Sequence, residues 1–197
     1  MCNTYAQHVR WVEGTQMMQD LELGIPTQQT ELDLPQADMV RINDVAPVMR
    51  AAGHGVELAQ MNFSFAPCHP KGGPAFNSRS EGWDFSKSGR CPIPAPGFFE
   101  HVGTKCPKTL YQFTLTEAPV LAIVGIWSEA ECNHPVSFTM LTTSPGPDIA
   151  PCHDLQVVVL RSENWAAWLY LAKLQAELLR PPPEGSLDVE LVREGKR

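Results

Sequence analysis

The cysteine at position 2 has a chemistry that no internal cysteine shares. Once Met1 is removed, the Cys2 thiol and a free α-amine sit on adjacent carbons. That amine, with a pKa of about 8, is partly unprotonated near neutral pH. It condenses with an aldehyde to a Schiff base, and the thiolate then closes onto the same carbon as a five-membered thiazolidine. Such a covalent nucleophile needs a nearby acid/base to open a sugar hemiacetal and to move protons. While Met1 is attached, the nitrogen is an amide and the reaction is blocked.

A second chemical group stands in Arg90-Cys91-Pro92-Ile93-Pro94-Ala95-Pro96-Gly97-Phe98-Phe99-Glu100-His101. Its prolines fix φ and remove backbone donors, which argues against an ordinary central strand. Gly97 frees the chain to turn or to approach something closely. Phe98 and Phe99 want burial, and a Glu100 held against them is desolvated, which moves its pKa up toward acid/base use. The same residues also suit a buried turn whose Glu caps a backbone group. Asn77-Ser78-Arg79, after Gly72-Gly73-Pro74, reads as a loop delivering polar side chains. An Asn amide orients an amine or thiol, and an Arg fork matches a phosphate; an Arg79–Glu81 surface pair is the plainer alternative. His153 lies between a turn and an apolar run at 155–160, with Asp154 beside it.

In order along the chain, Met1-Cys2, Asn77-Ser78-Arg79-Ser80-Glu81, Pro94-Ala95-Pro96-Gly97-Phe98-Phe99-Glu100, Thr142-Thr143 and Pro151-Cys152-His153-Asp154 resemble the SOS-response-associated peptidase (SRAP) family. None of these matches is specific alone; five in the family's order are. The resemblance implies that Met1 is removed and that Cys2 crosslinks the aldehyde of abasic sites in single-stranded DNA. It implies that Asn77 positions the Cys2 amine, and that Glu100 and His153 act as acid/base groups. Arg79 then holds a phosphate beside the lesion, and Arg90 is what remains of the family's arginines before its Arg-Cys. The chain departs from the family at Asn62-Phe63-Ser64-Phe65, where a Trp-Gly pair is usual, and at Leu155-Gln156-Val157, where Arg-Met-Pro is usual.

Composition sets the frame for this reading. The chain has 197 residues, 43% of them hydrophobic, and a net charge of −7, which argues against nucleic-acid binding over the whole surface. Residues 71–108 nevertheless carry six cations against three acids, a basic island on a body of −10. Such an island fits a local phosphate groove. No apolar run spans a membrane and no export signal precedes the body, so the expected setting is cytoplasmic, with six reduced cysteines and no disulfide framework. Cys68-His69, Cys132-Asn133-His134 and Cys152-His153 fit no zinc spacing, so neither metal nor cofactor is expected. Three alternatives stay open: a zinc site, a thiol peptidase acting on other proteins, and a non-catalytic single-strand-binding module.

The elements that must position these groups point to a monomeric α+β fold with a mixed, barrel-like sheet and a few helices. Its domain would occupy residues 1–180, followed by a C-terminal extension at 181–197. Strands are expected at 3–7, 56–65, 109–116, 120–127, 136–143 and 155–160, from their β-branched and aromatic content. A short strand or a loose tail is expected at 187–192. Helices are expected at 9–23 and at 162–179, the latter capped by Ser162 and presenting Trp165, Trp168, Leu169 and Ala172 to the core.

Overall fold

The computed structural model describes residues 3–8, 16, 19, 37–53, 55–67, 71–131 and 134–196. Its strands are β1 (Thr4–Gln7), β2 (Ala37–Arg41), β3 (Val45–Ala52), β4 (Gly55–Phe63), β5 (Asn77–Arg79), β6 (Gly89–Ala95) and β7 (Phe98–Val102). They continue with β8 (Thr109–Leu115), β9 (Leu121–Ser128), β10 (Ser137–Thr143), β11 (Gln156–Val157), β12 (Val159–Leu160) and β13 (Leu187–Arg193). Two short helices, α1 (Trp165–Tyr170) and α2 (Gln175–Leu178), lie between β12 and β13. The fold is α+β, and strands dominate it.

Two curled sheets make a half-barrel. One has the order β13-β8-β7-β1-β2; the other runs β12-β9-β10-β4-β3, with β11 and β5 paired to β10 and β6 paired to β9. The second sheet is mixed, because β10 is parallel to β4 and to β5 but antiparallel to β9 and β11. Between the sheets lies an apolar core that includes Tyr5, Phe63, Phe98, Phe113 and Phe138. Phe98 stacks on Phe113 at 5.2 Å and Phe63 on Phe138 at 5.2 Å, contacts worth about 1 kcal/mol each beyond their burial.

The proline-rich segment bridges the two sheets. Its first part is strand β6, paired with β9 from Gly89↔Trp127 to Ala95↔Leu121, including Pro92↔Val124 and Pro94↔Ala122. Prolines two apart direct their missing donors to one side, which an edge strand tolerates, and β6 has only β9 as a partner among the described strands. Gly97 then turns the chain into β7. A Cβ there would stand 2.7 Å from the Phe113 carbonyl oxygen, so this corner excludes a side chain.

Several expectations need correction. Asn77–Arg79 is a strand rather than a loop, held by parallel pairing with Met140–Thr142. The expected long helix at 162–179 is a 3-10 turn at Ser162–Asn164 followed by α1 and α2, with Leu171 left-handed at φ 51° between them. Ser162 makes no capping bond; Arg161 occupies the cap position. Trp165, Trp168 and Leu169 are buried as expected, but Ala172 falls beyond the break and is exposed. The helix expected at 9–23 lies almost wholly outside the described residues; Gln16 and Gln19 are helical. At the other end, residues 187–193 form β13 on β8, and Asp148 accepts from the Gly185 and Leu187 N–H groups at 2.9 and 3.0 Å.

Candidate functional site

Strand β10 is the strut of the site. On one side it pairs with β5, Thr142 opposite Arg79; on the other it pairs with β11, Thr142 opposite Val157 and Thr143 opposite Gln156. The segment bearing Asn77 and Arg79 and the loop bearing His153 are thus fixed to the same few residues. Glu81 locks one flank. Its carboxylate accepts from the Thr143 hydroxyl at 3.2 Å, from the Ser144 N–H at 2.7 Å and hydroxyl at 3.2 Å, and from Arg79 at 3.3 and 3.4 Å. Partial burial would push this carboxyl up. Hydrogen bonds from its own backbone, Arg79 and Ser144 outweigh that and bring its pKa down to about 2. The Glu of the Asn-x-Arg-x-Glu pattern and the Thr-Thr pair are therefore one structural unit.

The other flank is set by backbone. The turn at 146–153 closes through Ile149, whose carbonyl accepts from the Cys152 and His153 N–H groups at 2.7 and 3.0 Å. Gln156, buried, accepts from the Gly146 N–H at 2.6 Å, so the departure at Leu155-Gln156-Val157 supplies its own loop closure. The Nδ1 of His153 lies 3.1 Å from both the N–H and the carbonyl oxygen of Leu155. It can accept from the first or donate to the second, so the ring keeps its anchor in either tautomer while Nε2 changes role. Burial lowers the His153 pKa, leaving the imidazole neutral and able to take a proton near neutral pH.

Glu100 enters from the five-stranded sheet, 0% exposed. Burial raises the Cys152 thiol, and the charge of Glu100 adds to that shift, so the carboxylate is within electrostatic reach of the His153 loop. Burial alone raises the Cys91 thiol. Neither thiol is therefore an activated nucleophile. In the β1–β7 ladder, Thr4 faces Phe99 and Tyr5 faces Phe98. The beginning of β1 is thus laid against the residue next to Glu100. Cys2, the expected nucleophile, lies outside the described residues.

The structure separates the two arginines. Arg79 has a side chain 55% exposed and pairs with Glu81, and with Ser78, Trp83 and Ser88 it lines an open groove of about 420 Å³. Trp83 is itself exposed. Arg90 donates to the carbonyls of Phe85, Ser86, Ser88, Trp168 and Leu169, at 3.0 to 3.2 Å. Two of those carbonyls belong to α1, so Arg90 satisfies the end of a helix rather than standing ready for a phosphate. Phe63, at the first departure from the family pattern, is a core residue that also meets Tyr5 edge-on at 5.9 Å.

A profile of the family described as SOS response associated peptidase (SRAP) matches residues 1–195. The chain belongs to the SRAP family. Membership associates it with the SOS response and with DNA-associated, peptidase-like proteins. Its fold is shared by solved structures of low sequence identity. A protein from Bordetella bronchiseptica is 20% identical, with 98% of this chain and 100% of that one covered and a TM-score of 0.71. A protein from Bacteroides thetaiotaomicron is 17% identical over 98% and 92%, at 0.71. A phage-related protein of Bordetella bronchiseptica is 19% identical over 98% and 95%, at 0.69. Comparison with curated proteins finds no match.

Sequence reasoning missed three features of this SRAP site. Glu81 was read only as a surface partner of Arg79, although its place in the motif marks it as a clamp. Cys152 reads from sequence only as a motif member and candidate zinc ligand, and Lys108 only as one cation of the basic island. Cys152 feels Glu100, while Lys108 is close enough to lower the pKa of both His101 and His153, after burial in each case. Among the described residues no cluster of three or more His, Cys, Asp or Glu could hold a metal, and no helix is long and apolar enough to cross a membrane.

Proposed function

We propose that this SRAP protein removes its own Met1 and then captures abasic sites in single-stranded DNA through Cys2. The observation that carries the reading is the pairing of β1 with β7, which sets Thr4 against Phe99, beside the fully buried Glu100. Two peptide units separate Cys2 from Thr4, so chain connectivity alone keeps their Cα atoms within about 7 Å. The raised pKa values of Cys91 and Cys152 support the N-terminal thiol as nucleophile.

The chemistry balances without an oxidant or a metal. An acid/base group opens the abasic sugar from hemiacetal to aldehyde. The Cys2 amine adds to the aldehyde carbon and one water leaves, giving the imine. The Cys2 sulfur then adds to that carbon as its proton passes to nitrogen, closing the thiazolidine. Glu100 and His153 serve as the proton donors and acceptors, and Asn77 orients the amine. Arg79, in a groove with an exposed aromatic, offers the cation and the stacking surface that single strands use. Cleavage of the Met1–Cys2 bond is assigned to the same groups.

Denaturing electrophoresis tests the reading on abasic and intact oligonucleotides. The processed wild type should give a covalent adduct with the abasic strand only, without reductant, and Cys2→Ser should give none. No adduct from protein whose intact mass shows Met1 removed would leave a single-strand-binding module in its place.

A further inference from the structure

The five-stranded sheet carries a row of basic side chains that the chemistry above does not use. His101 and Arg193 both pair with Leu110 in the ladders flanking β8, so the three residues form one row across β7, β8 and β13. Lys108 heads β8 one residue before its first member, and the Arg193 guanidinium donates to the Lys108 carbonyl at 3.3 Å. This row lies at the end of the sheet where β1 begins, since Thr4 faces Phe99, two residues from His101. Burial lowers the His101 pKa, and the positive charges of Arg193 and Lys108 add to the shift, so both reach the same side chain. Arg193 is exposed and Lys108 half-buried, both at a surface a ligand can reach. The adjoining acids are the exposed Glu194 and the buried Glu100.

We propose that Lys108 and Arg193 bind backbone phosphates of the single strand, a contact from the second sheet that complements Arg79 on the first. Like charges placed side by side on an acidic protein are relieved by a phosphate, and the backbone of a single strand presents phosphates at regular intervals. Two anchors, one on each sheet, hold a strand across the end of the half-barrel where Thr4 and Glu100 lie and fix its direction. The inference rests on the single-strand reading but not on the covalent step.

Labelled oligothymidylate without abasic sites is the probe, its affinity measured over a salt series. Lys108→Met with Arg193→Met should lower the slope of log affinity against log salt by about 1.4, as for two lost phosphate contacts. Lys108→Met alone should lower it by about 0.7, with Lys108→Arg restoring it. A probe with neutral methylphosphonate linkages should bind wild type and double variant alike. Because Arg193 also braces Lys108, folding is checked by thermal melting, and Lys108→Met decides if the double variant melts early. An unchanged slope in folded Lys108→Met overturns the proposal, even where wild type still crosslinks abasic DNA. Loss of crosslinking activity with the slope changes intact would instead overturn the covalent reading. If wild type binds no single strand, both fall.

Discussion

Arg90 and Glu100 belong to one segment, on either side of the Gly97 corner, and the structure gives them opposite kinds of work. Arg90, on β6, is tied to five carbonyls and joins the segment to α1. Glu100, on β7, is buried next to the residue that pairs with the start of β1, and its charge reaches the His153 loop. The half before Gly97 is therefore framework, and the half after it carries the carboxylate proposed as the acid/base group. Arg79 is the reverse of Arg90: it has the same charge in the same basic island but stands at the surface, paired with Glu81. Residue type does not distinguish these cases; what each polar atom already touches does.

The widest split should come from Glu100→Gln. It keeps the shape and removes the proton transfer, so adduct formation should slow by about 10²- to 10⁴-fold with little change in melting temperature. A large loss of stability at unchanged rate would move Glu100 to the framework side. Arg90→Ala should do the opposite, lowering stability by about 3 kcal/mol because several carbonyls lose a charged donor at once. Chemical denaturation measures that loss, and the salt dependence of DNA binding in folded protein should be unaltered.

Arg79→Ala should barely change stability, since an exposed ion pair contributes about 0–1 kcal/mol. It should flatten the salt dependence of single-strand binding by about 0.7. A steeper fall in stability than that of Arg90→Ala would erase the contrast between the two arginines. The smallest effect concerns Glu81, whose pKa falls from 4.5 to about 2 in the fold. A lowered carboxylate pKa stabilises the protein above the unfolded value, and that contribution is lost as pH drops through the folded one. Glu81→Gln should therefore flatten the fall in melting temperature between about pH 4.5 and 2 while hardly changing the slope near neutrality.

Much of this arrangement was legible in the sequence where it rests on local pattern. The strands β8, β9 and β10 follow runs rich in β-branched and aromatic residues, and the burial of Phe98, Phe99 and Glu100 follows from two rings ahead of a carboxylate. What depends on distant partners was not legible. Asn77–Arg79 is a strand only because Met140–Thr142 pairs with it, and no periodicity fits into three residues. Leu171 breaks the last helix in a left-handed conformation without the Gly or Asn that normally signals it. The prolines of β6 argue against a central strand, and β6 is paired on one side only among the described strands, but that it forms an edge strand at all is set by its pairing with β9. The Glu81 clamp joins residues 62 apart in sequence, so only the fold reveals it.

The account turns on which atom becomes bonded to DNA. After reaction with an abasic single strand in the absence of reductant, protease digestion and peptide mass spectrometry locate the attachment. The predicted result is a fragment on the N-terminal peptide at Cys2, with the mass of the two partners less one water. Attachment at a lysine, or at Cys152, would contradict it.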